Sequence, residues 1–385
     1  MRSIPYGRQN ISQEDITAVI EVLKSDFLTQ GPAVTQFEEQ IKNYVGAEFS
    51  VAVNSATSAL HIACLAMGLG EGDELWTSPI SFVASSNCAL YCRARVDFVD
   101  IDDKTYNLCP NRLEDKLKKG NKKPKMVVPV HLSGLSCDME ALHFLAEKYG
   151  FYLLEDASHA IGAEYKNKKV GSCSYSDAAV FSFHPVKIIT TGEGGAVTTN
   201  DAALYEKLLM LRSHGITRDR SLMQTDHGPW YYEQLALGFN YRITDIQCAL
   251  GYSQIKRLDA FIASRRKLAT QYDAYLSKLP FVIPYQPDYQ KSAYHLYIVQ
   301  VENRAEVFQY LREQGIGVNV HYIPIHTQPY YQKLGFRKGD FPIAEQYYEK
   351  AISIPMFPDI SAEEISYVLH HMARAVCLDT MTAIS

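Results

Sequence analysis

Several kinds of segment are missing from this chain of 385 residues. It has no apolar run of about eighteen residues, the length a membrane-spanning helix needs, so no membrane span is expected. The opening Met1-Arg2-Ser3-Ile4-Pro5 lacks the apolar stretch of a secretory leader, and a cytoplasmic location is expected. No cluster of Lys and Arg occurs, and the formal net charge is −5, so no nucleic-acid partner is expected. Cysteines are present, at 64, 88, 92, 109, 137, 173, 248 and 377, but without metal-site spacing. Cys88 and Cys92 are the one close pair and no second pair follows, so no metal is expected and the thiols read as reduced and partly buried. Internal repeats and low-complexity tracts are absent too.

What remains is ordinary globular material, 47% hydrophobic and 21% charged, long enough for two or three domains. Gln13 to Ser25 reads as a helix, closed by the breaker Thr29-Gln30-Gly31-Pro32. From there helical patterns alternate with short apolar runs. The strand candidates are 50–53, 74–77, 95–99, 126–130 and 152–155. The helix candidates are 57–67, 85–91 and 139–149. This alternation implies an α/β domain, a mostly parallel sheet flanked by helices on both faces. A long helical pattern begins near Thr244, with Ile246, Leu250, Leu258, Ile262 and Leu268 on related faces. Beyond Pro280 the elements shorten: a strand over 294–301, a helix over 304–313, a strand over 317–322. They suggest a smaller C-terminal α+β domain. The division read here is an N-terminal arm over 1–30, a large domain over 31–252 and a small domain over 253–385.

Four motifs carry chemistry. Asn54-Ser55-Ala56-Thr57-Ser58-Ala59-Leu60 follows a strand and opens a helix, where free N–H groups attract an anion; an ordinary Ser/Thr cap reads the same way. Leu153-Leu154-Glu155-Asp156-Ala157-Ser158-His159 places two carboxylates at a strand's C-terminal end, either to pair with a cationic ring nitrogen or to cap a helix. In Ser182-Phe183-His184-Pro185-Val186-Lys187, followed by Thr190-Thr191-Gly192-Glu193-Gly194-Gly195, a lysine sits in an apolar, irregular context unlike a surface charge. Burial there frees its amine as a nucleophile. Gly238-Phe239-Asn240-Tyr241-Arg242-Ile243-Thr244-Asp245 reads as a turn before a helix that Thr244 or Asp245 caps.

Together these motifs resemble those of the DegT/DnrJ/EryC1/StrS sugar-nucleotide aminotransferases, over roughly residues 5 to 360. The resemblance implies the pyridoxal-phosphate (PLP)-dependent aspartate aminotransferase (type I) fold, with pyridoxamine phosphate as the alternate cofactor form. It implies that Lys187 holds the cofactor as a Schiff base and shuttles a proton, and that Asp156 pairs with the ring nitrogen. Phe82 stacks on the ring. Ala56, Thr57 and Ser182 hold the phosphate, and Asn240 reaches the phosphate of a neighbouring subunit in a homodimer with shared sites. His159 stands where relatives commonly carry Gln, near the ring hydroxyl. Substrate contacts are implied for Tyr6, for Asp26, Phe27, Leu28 and Thr29, and for His321, Tyr322, Ile323 and Pro324, with Ala56, Ser182 and Asn240 shared between cofactor and substrate. The implied reaction takes the amino group of L-glutamate, releasing 2-oxoglutarate, to C4 of a UDP-4-keto-6-deoxy sugar. The alternatives are transfer to another 3- or 4-keto sugar nucleotide, a related dehydratase (in which histidine replaces the lysine) and a non-catalytic binding protein on the same fold.

Overall fold

The structure, a computed structural model, describes residues 3–120 and 122–382, with side chains described as far as 376. Met1, Arg2 and the thiol of Cys377 therefore lie outside the described residues. The other seven cysteines are free and buried.

The first helix, α1 (Gln13–Leu23), starts in a capping box in which Ser12 and Asp15 each accept the other's backbone N–H. The second, α2 (Pro32–Val45), has proline in its first turn and no capping side chain of its own. Its cap comes from far along the chain. The carboxylate of Asp245, 1% exposed, accepts the N–H of Gly31 at 2.8 Å and of Ala33 at 3.0 Å. Thr244 caps the helix Asp245–Ile255 that carries this carboxylate, in a second capping box with Gln247. The two capping residues read from the sequence thus serve different helices.

The large sheet has seven strands: β1 (Phe49–Val53), β2 (Glu74–Thr77), β3 (Arg95–Phe98), β4 (Met126–Val128), β5 (Tyr152–Asp156), β6 (Ala178–Ser182) and β7 (Gly195–Thr199). Their spatial order is β1-β7-β6-β5-β4-β2-β3. β7 runs antiparallel to both its neighbours, and the other six strands share one direction. The sequence reading passed over β6 and β7. Every residue of both is buried, so neither shows the alternation that marks a half-exposed strand. Among the helices on the faces, α3 (Ala56–Ala66) and α4 (Ala84–Tyr91) start at the edge where β1 and β2 end.

Two further expectations are corrected. The long pattern from Thr244 is two helices, Asp245–Ile255 and Leu258–Leu276, broken at Lys256–Arg257. The Arg257 guanidinium there is drawn to Asn10 and Asp15 of the N-terminal segment, and neither proline nor glycine marks the break. The stretch 317–322 is no strand: it makes one antiparallel rung, Asn319 opposite Ser353, and then turns away.

A second core gathers Leu268, Tyr272, Tyr297, Val299, Val307, Leu311, Ile352, Ile354, Val368 and Met372, and also Ile4. The helix Leu258–Leu276 joins both bodies, with Leu258, Phe261 and Ile262 in the sheet's core and Leu268, Tyr272 and Leu276 in the smaller one. Removal of the Asp245 carboxylate strands two N–H groups at the start of α2, each costing about 1–3 kcal/mol. Asp245→Ala is therefore expected to lower unfolding stability by about 2–6 kcal/mol, read as a fall in the urea midpoint at unchanged slope.

Candidate active site

The site is assembled at the edge of the sheet where the parallel strands end. β1 leads through Asn54 into α3, whose N-cap Ser55 accepts the N–H of Ser58 at 3.1 Å through its hydroxyl. Gly195, the first residue of β7, lies between Val53 and Ser182 in the ladder. A Cβ at this glycine would stand 2.5 Å from the nitrogen of Ala56 and 2.6 Å from the carbonyl carbon of Ser55. The glycine-rich stretch after the lysine is thus what lets the helix N-terminus settle against the sheet. The open N–H groups at that terminus face a cavity of about 450 Å³.

Ten of the sequence-identified residues line this cavity: Tyr6, Ala56, Thr57, Phe82, Asp156, His159, Ser182, Lys187, His321 and Tyr322. Burial pushes the Lys187 amine down to about 8, against the opposing pull of the Asp156 charge. Asp156, 5% exposed, accepts the Ser85 hydroxyl at 2.6 Å on Oδ2 and the N–H of Ser158 at 3.1 Å on Oδ1. His159 Nε2 is 3.0 Å from the Tyr322 hydroxyl, and its Nδ1 is buried without a protein partner. Burial, the Lys187 charge and two neighbouring imidazoles hold His159 neutral, well below the usual histidine range. His321 is pushed down to about 4, by burial first and by Lys187 second, and its Nδ1 sits 2.7 Å from the Ser353 hydroxyl. Phe82 remains 60% exposed as a wall of the cavity. Tyr6 arrives on the N-terminal arm, held by the N–H of Met356 donating to its carbonyl and by the pairing of Ile4 with Ile316.

The remaining sequence-identified residues lie elsewhere in the same chain. Asp26, Phe27, Leu28 and Thr29 form an exposed segment, tied to the helix Asp245–Ile255 by the pairing of Thr29 with Thr244. Phe27 lines a different groove, of about 920 Å³, beside α1 and α2. Asn240 is exposed, and its carbonyl accepts the side chain of Asn54 at 3.4 Å, just outside the cavity. Ile323 and Pro324 follow Tyr322 out of the cavity, with Ile323 48% exposed. The sequence reading missed Ser85, Ser158, Glu193 and His295 and left His184 without a role, though all five line the cavity. His295 packs on His159 with ring centroids 4.4 Å apart. A histidine just before a short strand carries no signal that would single it out. Glu155, the other carboxylate of its motif, turns away to accept from His131 Nε2 at 2.7 Å. His131 Nδ1 in turn accepts the Cys137 N–H.

A half-buried amine with a lowered pKa, a carboxylate in the same cavity and a helix N-terminus with hydroxyls from Thr57 and Ser182 suit an aldehyde-bearing phosphate ester. Comparison with known proteins agrees. Residues 9–373 match the DegT/DnrJ/EryC1/StrS aminotransferase family. The chain belongs to that family. It is 39% identical, over 95% of both chains, to the UDP-4-amino-4,6-dideoxy-N-acetyl-β-L-altrosamine transaminase of Campylobacter jejuni. It is 40% identical, again over 95% of both, to the spore coat polysaccharide biosynthesis protein SpsC of Bacillus subtilis. Among solved structures, PseC of Helicobacter pylori, an aminotransferase of pseudaminic acid biosynthesis, matches with a TM-score of 0.90 at 34% identity over 97% of this chain and 99% of its own. The putative sugar aminotransferase Spr1654 of Streptococcus pneumoniae, in its PMP form, matches with 0.92 at 27% identity over the full length of both. The chain is thus a sugar aminotransferase with the type I fold, and PLP is the cofactor of its family.

Two outcomes follow from this geometry. Gly195→Ala forces β7 and α3 apart, so cofactor retention after gel filtration is expected to fall at least tenfold relative to the parent chain, about the worth of 1.4 kcal/mol. If Lys187 is the amine that takes up the cofactor, uptake by the cofactor-free chain is expected to speed up with pH and level off above about 8. An ordinary lysine would keep rising to about 10.4. Stopped-flow absorbance from pH 6 to 10 reads the midpoint directly, and Lys187→Ala should show no visible band.

Proposed function

We propose that this enzyme transfers the amino group of L-glutamate to C4 of a UDP-4-keto-6-deoxy-N-acetylhexosamine. The product is UDP-4-amino-4,6-dideoxy-N-acetyl-β-L-altrosamine, on the route to pseudaminic acid. The similarity to the C. jejuni transaminase and to PseC supports this substrate. The observation that carries the chemistry is the desolvated Lys187 amine beside Asp156 in a cavity whose far wall is Tyr6, His321 and Tyr322.

The bound cofactor supplies an electron sink for the carbon that loses or gains a proton. Lys187 Nζ would hold the cofactor and, as the free amine, would accept and return a proton at the reacting carbon. Asp156 would pair with the ring nitrogen, Phe82 would cover the ring, and Ala56, Thr57 and Ser182 would hold the phosphate at the start of α3. His159, neutral and short of one partner at Nδ1, offers a hydrogen bond toward the ring hydroxyl. Tyr6, His321 and Tyr322 form the sugar side of the cavity.

A homodimer with shared sites completes this reading. A cofactor phosphate and a nucleotide diphosphate bring several negative charges, while Lys187 is the one Lys or Arg among the cavity-lining residues. Asn240 of a second copy, with Arg242 beside it, supplies what the single chain lacks. Asp26 to Thr29, Ile323 and Pro324, which lie outside this chain's own cavity, contact substrate across the same boundary. The arm over 1–30, the cofactor domain over 31–252 and the small domain over 253–385 are the working units of that dimer in the cytoplasm. A second reading, another amino-sugar product of the same reaction type, is favoured by one observation: SpsC is as similar to this chain as the altrosamine transaminase is.

A glutamate-dependent assay across UDP- and dTDP-4-keto sugars, with NMR of the product, decides between them. Turnover of the UDP-4-keto-6-deoxy-L-arabino-hexose derivative is expected, and its absence alongside turnover of another sugar selects the second reading. Shared sites predict that Lys187→Ala and Asn240→Ala chains, each impaired alone, recover about a quarter of parental activity when refolded together, because half the dimers are mixed and each mixed dimer keeps one intact site. Recovery of none would mean that each chain builds its site alone.

A further inference from the structure

The segment 81–86 contributes more to the cavity than the Phe82 wall. Ser81 Oγ lies 2.6 Å from Ser85 Oγ, and Ser85 Oγ donates to Asp156 Oδ2 at 2.6 Å. Both hydroxyls are buried, at 4% and 1% exposure. The proton of Ser85 is committed to the carboxylate, so Ser81 is the donor in the first bond, and the pair forms a one-way chain ending on Asp156. The opposite carboxylate oxygen takes the N–H of Ser158 at 3.1 Å. Each oxygen of Asp156 thus accepts one protein donor and keeps a lone pair for a third group.

Among the described residues no arginine lines the cavity, and the positive group there that interacts with the Asp156 charge is Lys187. The lysine loses that positive charge whenever its nitrogen acts as the neutral amine the reaction needs. Fixed donors on both oxygens hold the carboxylate in one orientation through that change. The Ser81–Ser85 chain is such a donor, rooted in the first turn of α4 and in the loop before it.

We propose that Ser85, backed by Ser81, is a positioning residue that holds the Asp156 carboxylate aimed at the cofactor's ring nitrogen, and so sets the protonation of that ring. This rests on the pairing of Asp156 with the ring nitrogen given above. The same short segment then controls both the face of the ring, through Phe82, and its nitrogen, through Ser85.

The test uses the full-length enzyme loaded with ring-¹⁵N-labelled PLP. The readouts are the ring-nitrogen chemical shift, the pH midpoint of the bound cofactor's visible band and the PLP dissociation constant. Ser85→Ala should move the ring nitrogen toward its unprotonated shift, raise the midpoint by half a pH unit or more and weaken PLP binding about tenfold, the worth of one hydrogen bond to a charged group. Ser85→Thr, which keeps the hydroxyl, should restore all three. Asp156→Asn separates the two layers of the argument. If it leaves the ring-nitrogen shift unchanged, the pairing itself fails and the proposal with it. If it moves the shift while Ser85→Ala, folded by circular dichroism, does not, the serine role alone is overturned. A loss in Ser85→Ala that Ser85→Thr fails to restore means the position matters only for packing, and it overturns the role too.

Discussion

The close approach of β7 to the start of α3 is the constraint on which the rest of the site depends. Gly195 leaves no room for a Cβ because the backbone of Ser55 and Ala56 already occupies that space. Through this contact the strand that follows the lysine loop is locked to the helix terminus that faces the cavity. Ser182 pairs with the same glycine in the ladder, so the last residue of β6 is placed by it as well. The loop between Ser182 and Gly195 has both ends fixed by one contact, and Lys187 is carried within it. An anion-attracting helix terminus and the loop that carries Lys187 are therefore anchored to the same backbone contact.

The second determinant is desolvation. The Lys187 amine and the imidazoles of His159, His295 and His321 are all desolvated by the protein around the cavity they line. Each is driven toward its neutral form, and the lysine charge pushes the three histidines further the same way. The histidines then act as neutral polar groups and not as cations. His159 engages Tyr322 and His321 engages Ser353, which holds both rings still without a charge. A site arranged in this way can bind an anionic cofactor without pairing it to a histidinium whose charge would vary with pH.

How much of this was legible in the sequence depends on the kind of information each element carries. Local elements with clear period or caps were readable: α1, α3, β2, β5 and the helix Met139–Tyr149 fall within a residue or two of where the pattern puts them. β6 and β7 were not, because a strand buried on both faces has no alternation to read. The break at Lys256–Arg257 left no trace because its cause is tertiary, a guanidinium recruited by Asn10 and Asp15 from the other end of the chain. Asp245 shows the same limit at the level of one side chain. Its place beside a helix start was plain, but only the packing of the helix Asp245–Ile255 against α2 shows which helix it caps.

The site residues divide along the same line. Asp156, His159 and Lys187 stand in motifs whose chemistry is unusual for their surroundings, and the resemblance of those motifs to a known family gave them roles. Ser85 and His295 have no such mark. A serine in the first turn of a helix is ordinary, and its meaning appears only when folding sets its hydroxyl against Asp156. This asymmetry has a physical origin. Groups that take part in bond-making need rare chemistry, so their residue types are restricted and visible. Groups that hold a carboxylate in place need only a hydroxyl or an N–H at the right point, and many residues and the backbone itself provide one. The Ser158 N–H on Asp156 is the limiting case, a donor that every residue except proline carries and that no sequence pattern reveals.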